Sequence, residues 1–160
     1  MNDVAKQTVL RQFPYGLYAV TVAHGGEEHG MTANWVTQAS FTPPMVAVAI
    51  ENSSRTIGLM RDARHFVLNV FQEGQRELAG KLARSSANVP HKLKGIKTKP
   101  APRWGGPILA DALGWLECRL VATLPAGDHT LVLGEVIEAE VEHGDSQPLT
   151  LREAGLTYAG

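Results

Sequence analysis

Apolar residues along this chain fall into runs of strand length more often than into helical spacing, and the two rhythms divide it into short elements. L-Y-A-V-T-V-A from Leu17 and H-F-V-L-N-V-F from His65 crowd β-branched and aromatic residues into such runs. Met45 to Ile50 is continuously apolar, the pattern of a fully buried strand. Two longer runs, Leu113 to Thr123 and His129 to Val141, read as strands joined by a hairpin loop at P-A-G-D. Helical spacing is confined to Asn2 to Phe13, to a stretch from N-S-S-R-T through about Asp62, and to E-L-A-G-K-L-A-R, where Leu78 and Leu82 lie four apart. Ser53 or Ser54 suits the cap of the second of these.

Breaker residues set the connections. H-G-G-E-E-H-G reads as a turn, with Gly25-Gly26 supplying positive φ, that returns the chain into one strand from Gly30 to Phe41. Thr42-Pro43-Pro44 then predicts an extended exit, because proline keeps its predecessor out of the α region. Ser85 to Pro107 is rich in Lys, Pro and Gly and predicts an irregular excursion over the surface. Strands outnumber helices without regular βαβα alternation, so a mainly β fold is expected and a doubly wound parallel sheet is disfavoured. T-L-V-L-G-E-V-I, inside the last strand, lacks clean alternation, which predicts cover on both faces and hence a homodimer.

Composition narrows the function more than the fold. With 160 residues, 44% of them hydrophobic, the chain has the size of a single domain, 1–160. A net charge of −1 supplies no footprint for nucleic acid or an anionic membrane. No apolar run approaches the roughly 20 residues of a membrane span, and M-N-D-V-A-K-Q lacks the order of a signal peptide, so a cytoplasmic protein is expected. The single cysteine, Cys118, has no partner for an internal disulfide and reads as a small buried hydrophobe on the face of Leu116 and Leu120, opposite Glu117 and Arg119. His24 and His29 flank Glu27 and Glu28 in one turn without the spacing of known sites, so no metal is expected. Neither a P-loop, a G-x-G-x-x-G after a strand, nor a G-x-S-x-G elbow is present.

Two stretches carry candidate chemistry. Thr32, Ala33, Asn34, Thr37 and Ser40 are small or hydroxylated and surround one large aromatic, Trp35. Small side chains leave backbone N–H and C=O groups open, and hydroxyls donate and accept, so the strip suits a flat, polar-edged cofactor. Composition alone suits equally a barrel strand whose hydroxyls bond only nearby backbone. In N-S-S-R-T (Asn52, Ser53, Ser54, Arg55, Thr56), hydroxyls, helix N-terminal amides and a guanidinium favour a phosphate dianion; a plain helix cap has the same residues.

The segment G-M-T-A-N-W-V-T-Q-A-S-F-T-P-P resembles the flavin-binding signature of the flavin reductase-like family of FMN-binding split barrels. E-N-S-S-R-T, H-F-V-L-N-V, G-D-H-T-L-V-L-G-E-V and the tail P-L-T-L-R-E-A-G-L-T-Y-A-G fit the same family in the same order, across nearly the whole chain. The resemblance implies a Greek-key split β-barrel of six or seven strands with a few short helices, paired as a homodimer with FMN near the interface. It implies flavin contact by Thr32, Ala33, Asn34, Trp35, Val36, Thr37 and Ser40, and phosphate contact by Asn52 to Thr56. Arg84 and Lys92 are further candidates, with H-K-L-K-G standing where the family has D-K-F-x-G; Tyr158 supplies a ring in the tail, where Leu156 replaces a larger aromatic. His129 in G-D-H-T matches a family position near the nicotinamide and the flavin, and is the candidate catalytic residue. The implied activity is hydride transfer from NAD(P)H to FMN and on to a small acceptor or a redox partner protein. The rivals are a flavoredoxin-like FMN electron carrier without nicotinamide activity and, less favoured, a split barrel handling haem or pyridoxal phosphate.

Overall fold

The computed structural model describes residues 1–158, so Ala159 and Gly160 of the tail motif lie outside the described residues. Its elements are α1 Asp3–Leu10, β1 Tyr18–His24, β2 Glu27–Ala33, β3 Val36–Phe41, β4 Pro44–Glu51, α2 Arg55–Ala63, β5 His65–Val70, α3 Arg76–Ala83, β6 Thr98–Pro100, β7 Pro107–Leu109, β8 Gly114–Ala126 and β9 His129–Val141. Seven strands form one antiparallel sheet in the order β2-β1-β5-β8-β9-β4-β3. Its two edges, β2 and β3, are consecutive in the chain and joined only by Asn34 and Trp35.

Both edges face one core. Ala33 at the end of β2 is buried in the same cluster as Val46, Val48 and Ile50 of β4 and Phe66 of β5, and Met31 and Val36 pack against it. The sheet therefore curls until its edges share a core without pairing to each other, which is the split barrel that the family resemblance implied. Ile57 and Met60 of α2 fill the same cluster. A second cluster on the outer side joins Leu17, Ala19 and Phe71 to Ala79 and Leu82 of α3 and to Leu149 and Ala154 of the tail. Gly134 shows how tightly the core is filled: a Cβ there would stand 2.5 Å from the Phe66 ring.

Several boundaries differ from the sequence pattern for physical reasons. The expected Gly30 to Phe41 strand is two strands, because one half pairs with β1 and the other with β4 at opposite ends of the sheet. Its turn is only Gly25-Gly26, at φ +59° and +81°, between the paired His24 and Glu27, so E-E-H-G belongs to β2. Thr42-Pro43 makes a tight turn instead of an extended exit; Pro44 opens β4 opposite Phe41, a position where a strand tolerates proline. The last hairpin is longer than expected, with β8 running on to Ala126. Helix α1 is shorter than expected and buries no residue.

The surface excursion is not wholly irregular. It contains the β6–β7 hairpin, which lays Ala101 and Ile108 over Val67 and Trp115. That cover explains Glu117, which lies opposite Cys118 yet is fully buried. Its carboxylate accepts the amides of Arg103 at 3.0 Å and Trp104 at 2.9 Å, so the burial is compensated. Cys118 is buried as expected, and burial followed by the Glu117 charge pushes its thiol up to about 12. Burial does alternate in β9, with Thr130, Val132 and Gly134 inward and Leu131, Leu133 and Glu135 outward. Leu131 pairs with Leu124 across the hairpin, and Leu124 is 62% exposed. Among the described residues no helix is long and apolar enough to cross a membrane.

Candidate functional site

A cleft of about 720 Å³ opens between the end of β2, the first turn of α2, the segment after α3, the start of β9 and the tail. Its two ends differ in chemistry. At one end His129, the first residue of β9 and 7% exposed, sits opposite Glu51 of β4. Its ring lies 4.6 Å from that of Trp35, and the Tyr158 ring stands edge-on to Trp35 at 5.3 Å. Nδ1 of His129 is 2.7 Å from an Asp128 carboxylate oxygen, and Nε2 is 2.9 Å from the Tyr158 hydroxyl. A carboxylate can only accept, so Nδ1 donates to Asp128 and holds that carboxyl below the usual carboxylate range, and in a neutral imidazole Nε2 then accepts from Tyr158. Burial, then the Glu51 and Asp128 charges, raise the Tyr158 phenol.

The other end is built from helix termini. Ser54 caps α2, accepting from the Thr56 amide at 3.2 Å and donating to Met31 Sδ at 3.4 Å. Lys92, 4% exposed, reaches the cleft and donates to the Leu82 carbonyl at 3.0 Å in the last turn of α3. Burial lowers its pKa, and among the described residues it has no carboxylate partner. Arg84, Ser85 and Ser86 complete this wall.

Of the residues singled out in the sequence, Thr32, Ala33, Asn34, Ser53, Ser54, Arg55, Arg84, Lys92, His129 and Tyr158 line the cleft. Several are already engaged. The Thr32 hydroxyl donates to the Ala79 carbonyl at 2.7 Å, and Asn34 donates to the Tyr158 carbonyl at 3.3 Å. Ser53 donates to Glu51 at 2.7 Å, and Arg55 holds Glu27 with two hydrogen bonds. Trp35 backs His129 without lining the cleft, and its buried Nε1 has no partner among the described residues.

Val36, Thr37, Ser40, Asn52 and Thr56 do not line it. Val36, Thr37 and Ser40 belong to β3, which leaves toward the other sheet edge. Asn52 donates to the Gly127 carbonyl and accepts from Thr130, tying α2 to the last hairpin. Thr56 is fully buried against His29. Glu51, Ser85 and Ser86 line the cleft without having been singled out. Arg84-Ser85-Ser86 mirrors Ser53-Ser54-Arg55 in composition, which was the available signal for that second hydroxyl pair.

Residues 10–159 match the model of the flavin reductase-like domain. The chain belongs to that family. It is 37% identical over 144 residues to the reductase component of 4-nitrophenol 4-monooxygenase/4-nitrocatechol 2-monooxygenase of Rhodococcus opacus, covering 90% of this chain and 74% of that protein. It is 36% identical over 132 residues to a putative diflavin flavoprotein of Nostoc sp., covering 82% of this chain but only 23% of that longer protein. Among solved structures, the NADH:FAD oxidoreductase of Streptomyces globisporus C-1027 superposes with a TM-score of 0.84 at 29% identity, covering 93% of this chain and 88% of that one.

The flavin reductase-like chain is thus an oxidoreductase, and a flavin is the group its cleft must fit. The residues present do fit. A buried ammonium without a carboxylate among the described residues, the Ser54, Ser85 and Ser86 hydroxyls and the N-terminus of α2 suit an anionic end, while Ala33, Asn34 and His129, backed by Trp35, leave a flat wall for a ring.

Proposed function

We propose that the flavin is FMN, with its phosphate toward Ser54, Ser86 and Lys92 and its ring toward Ala33, Asn34 and His129, and that NAD(P)H is the reductant. The observation that carries this reading is the Lys92 ammonium, buried at one end of the cleft with no carboxylate to neutralise it among the described residues. A buried cation is costly unless paired, and a terminal phosphate supplies the missing charge. Held by Ser54, Ser86 and Lys92 at one end and Ala33, Asn34 and His129 at the other, a flavin would supply the chemistry of hydride uptake from a reduced nicotinamide and electron delivery to an acceptor.

The chain's own part is binding and orientation. Arg55 is spent on Glu27, so the α2 amides, Ser54 and Lys92 hold the anion. Asp128 fixes the tautomer and angle of His129, whose ring then orients the flat nicotinamide or another planar acceptor at the open face. Of the other residues singled out in the sequence, Trp35 supports His129 from behind, and Asn52 and Thr56 support the α2 turn.

Likeness to the reductase component of a monooxygenase supports a partner protein, or free flavin, as the acceptor. The outward Leu131, paired on one side with Ala49, a cleft residue, and on the other with the exposed Leu124, supports a homodimer whose interface borders the site. The purified protein is expected to be yellow or to turn yellow on reconstitution, to release FMN on extraction, and to bleach anaerobically with NADH or NADPH in stopped flow. Recovery of FAD alone overturns the choice of flavin. Bound FMN that neither nicotinamide bleaches returns the electron-carrier reading. Sedimentation is expected to show twice the 17.3 kDa chain mass, and a monomer at micromolar concentration removes the dimer.

A further inference from the structure

His29 is 1% exposed and bonds through both ring nitrogens, yet it does not line the cleft. Nδ1 lies 2.9 Å from the Thr56 hydroxyl in the first turn of α2. Nε2 lies 3.0 Å from the Ser86 hydroxyl, on the segment after α3 that forms a cleft wall. The ring thus bridges two elements that flank the proposed phosphate end.

A neutral imidazole has one N–H, so the chain Thr56–His29–Ser86 runs in one direction or the other. Burial first, and then the nearby Lys92 ammonium, push His29 down to about 4, so the ring is neutral at pH 7. Thr56 decides the direction. It is fully buried, and among the described residues its hydroxyl has no partner but His29. If Nδ1 carried the proton, the Thr56 proton would be left buried without an acceptor, a cost that the opposite direction avoids. Thr56 therefore donates to Nδ1, and Nε2–H donates to Ser86. The Ser86 oxygen is then occupied by an incoming hydrogen bond, and its own proton is free to point into the cleft.

We infer that His29 is a positioning residue that makes Ser86 an obligate donor to the anionic group bound in the cleft. The inference rests on the reading of that end as the FMN phosphate site. It assigns a role to a residue outside the cleft that the sequence offered only as a disfavoured metal ligand.

The test compares FMN with riboflavin, which is the same ring without the phosphate, by fluorescence quenching in the wild type, Ser86→Ala, His29→Phe, His29→Gln and the Ser86→Ala/His29→Phe double variant. Loss of one hydrogen bond to a charged group predicts FMN affinity about tenfold weaker in Ser86→Ala and in His29→Phe, with riboflavin affinity unchanged. The double variant is expected to be no weaker than either single one, because both remove the same donated bond. His29→Gln, whose amide can donate one bond and accept another, is expected to recover most of the loss, and it keeps the test readable should His29→Phe fail to fold.

Equal weakening of FMN and riboflavin reduces His29 to a structural role and overturns the inference. So do additive losses in the double variant, or an unchanged FMN affinity in Ser86→Ala. A wild type that binds riboflavin as tightly as FMN removes the phosphate reading itself, and the inference falls with it.

Discussion

Two histidines flank this cleft, each bonded through both ring nitrogens, and they send their hydrogen bonds in opposite directions. At His129 the polarity runs away from the ligand: the Tyr158 hydroxyl donates to Nε2, and Nδ1 donates to Asp128. At His29 it runs toward the ligand, from Thr56 through the ring to Ser86. The first arrangement ends in a carboxylate that is 91% exposed and leaves an aromatic surface with its protons turned away. The second ends in a hydroxyl proton aimed at the cleft beside a buried ammonium. Identical side chains thus build a face for a flat ring at one end and a donor for an anion at the other, and the neighbour on Nδ1 makes the difference.

The largest effect expected from breaking this comparison lies in stability. The folded His29 titrates at about 4, below the ordinary 6.5, with burial as the main cause, while Lys92 and Arg55 oppose its charge and Glu27 favours it. Between these values the unfolded chain takes up a proton that the folded ring refuses. Stability is therefore fully present above pH 6.5, declines as pH falls toward 4, and loses about 3 kcal/mol across that window. Urea unfolding of the wild type and His29→Gln at pH 7 and 4.5 measures it. The variant is expected to lose less on acidification, and an equal loss in both removes the buried-neutral account of His29.

Next in size is His129→Ala, which takes away the surface expected to orient the nicotinamide. Reduction of bound flavin by NAD(P)H is expected to slow by roughly a hundredfold, with FMN affinity nearly intact, since misplacing reacting atoms by about 1 Å costs that much. Single-turnover bleaching separates rate from binding. A fall in affinity with the rate per bound flavin preserved would make His129 an anchor instead.

The smallest effect sharpens the anion end. Ser54 caps α2 beside the proposed phosphate, whereas Ser53 already donates to Glu51. Ser54→Ala is expected to weaken FMN binding by about 1–3 kcal/mol and Ser53→Ala hardly at all. Equal losses in titration would mean that the Glu51 bond is given up when ligand binds.

The run of Met45 to Ile50, the breaks at Gly25-Gly26 and the ordered set of family motifs were legible in the chain because they rest on local preferences: side-chain volume, backbone freedom and alternation. The strand runs and breaks gave the mainly β class, and the resemblance carried by the ordered motifs implied the split barrel of six or seven strands, the oxidoreductase reading and ten of the 22 residues that line the cleft. The division of Gly30 to Phe41 was not legible, because it follows from two strand pairings at opposite edges of a curled sheet. Nor was the burial of Glu117, which needs amides from a hairpin folded over it.

At the site, residue type showed which groups were capable of binding an anion, and only the tertiary structure decided which were free to do so. Arg55 met Glu27, Ser53 met Glu51 and Thr56 turned inward to His29, while Lys92 and Ser86 were left facing the cleft. A hydrogen-bonding group has a limited number of partners, and the competition among them is settled by residues distant in the chain that the fold brings within 3 Å or so.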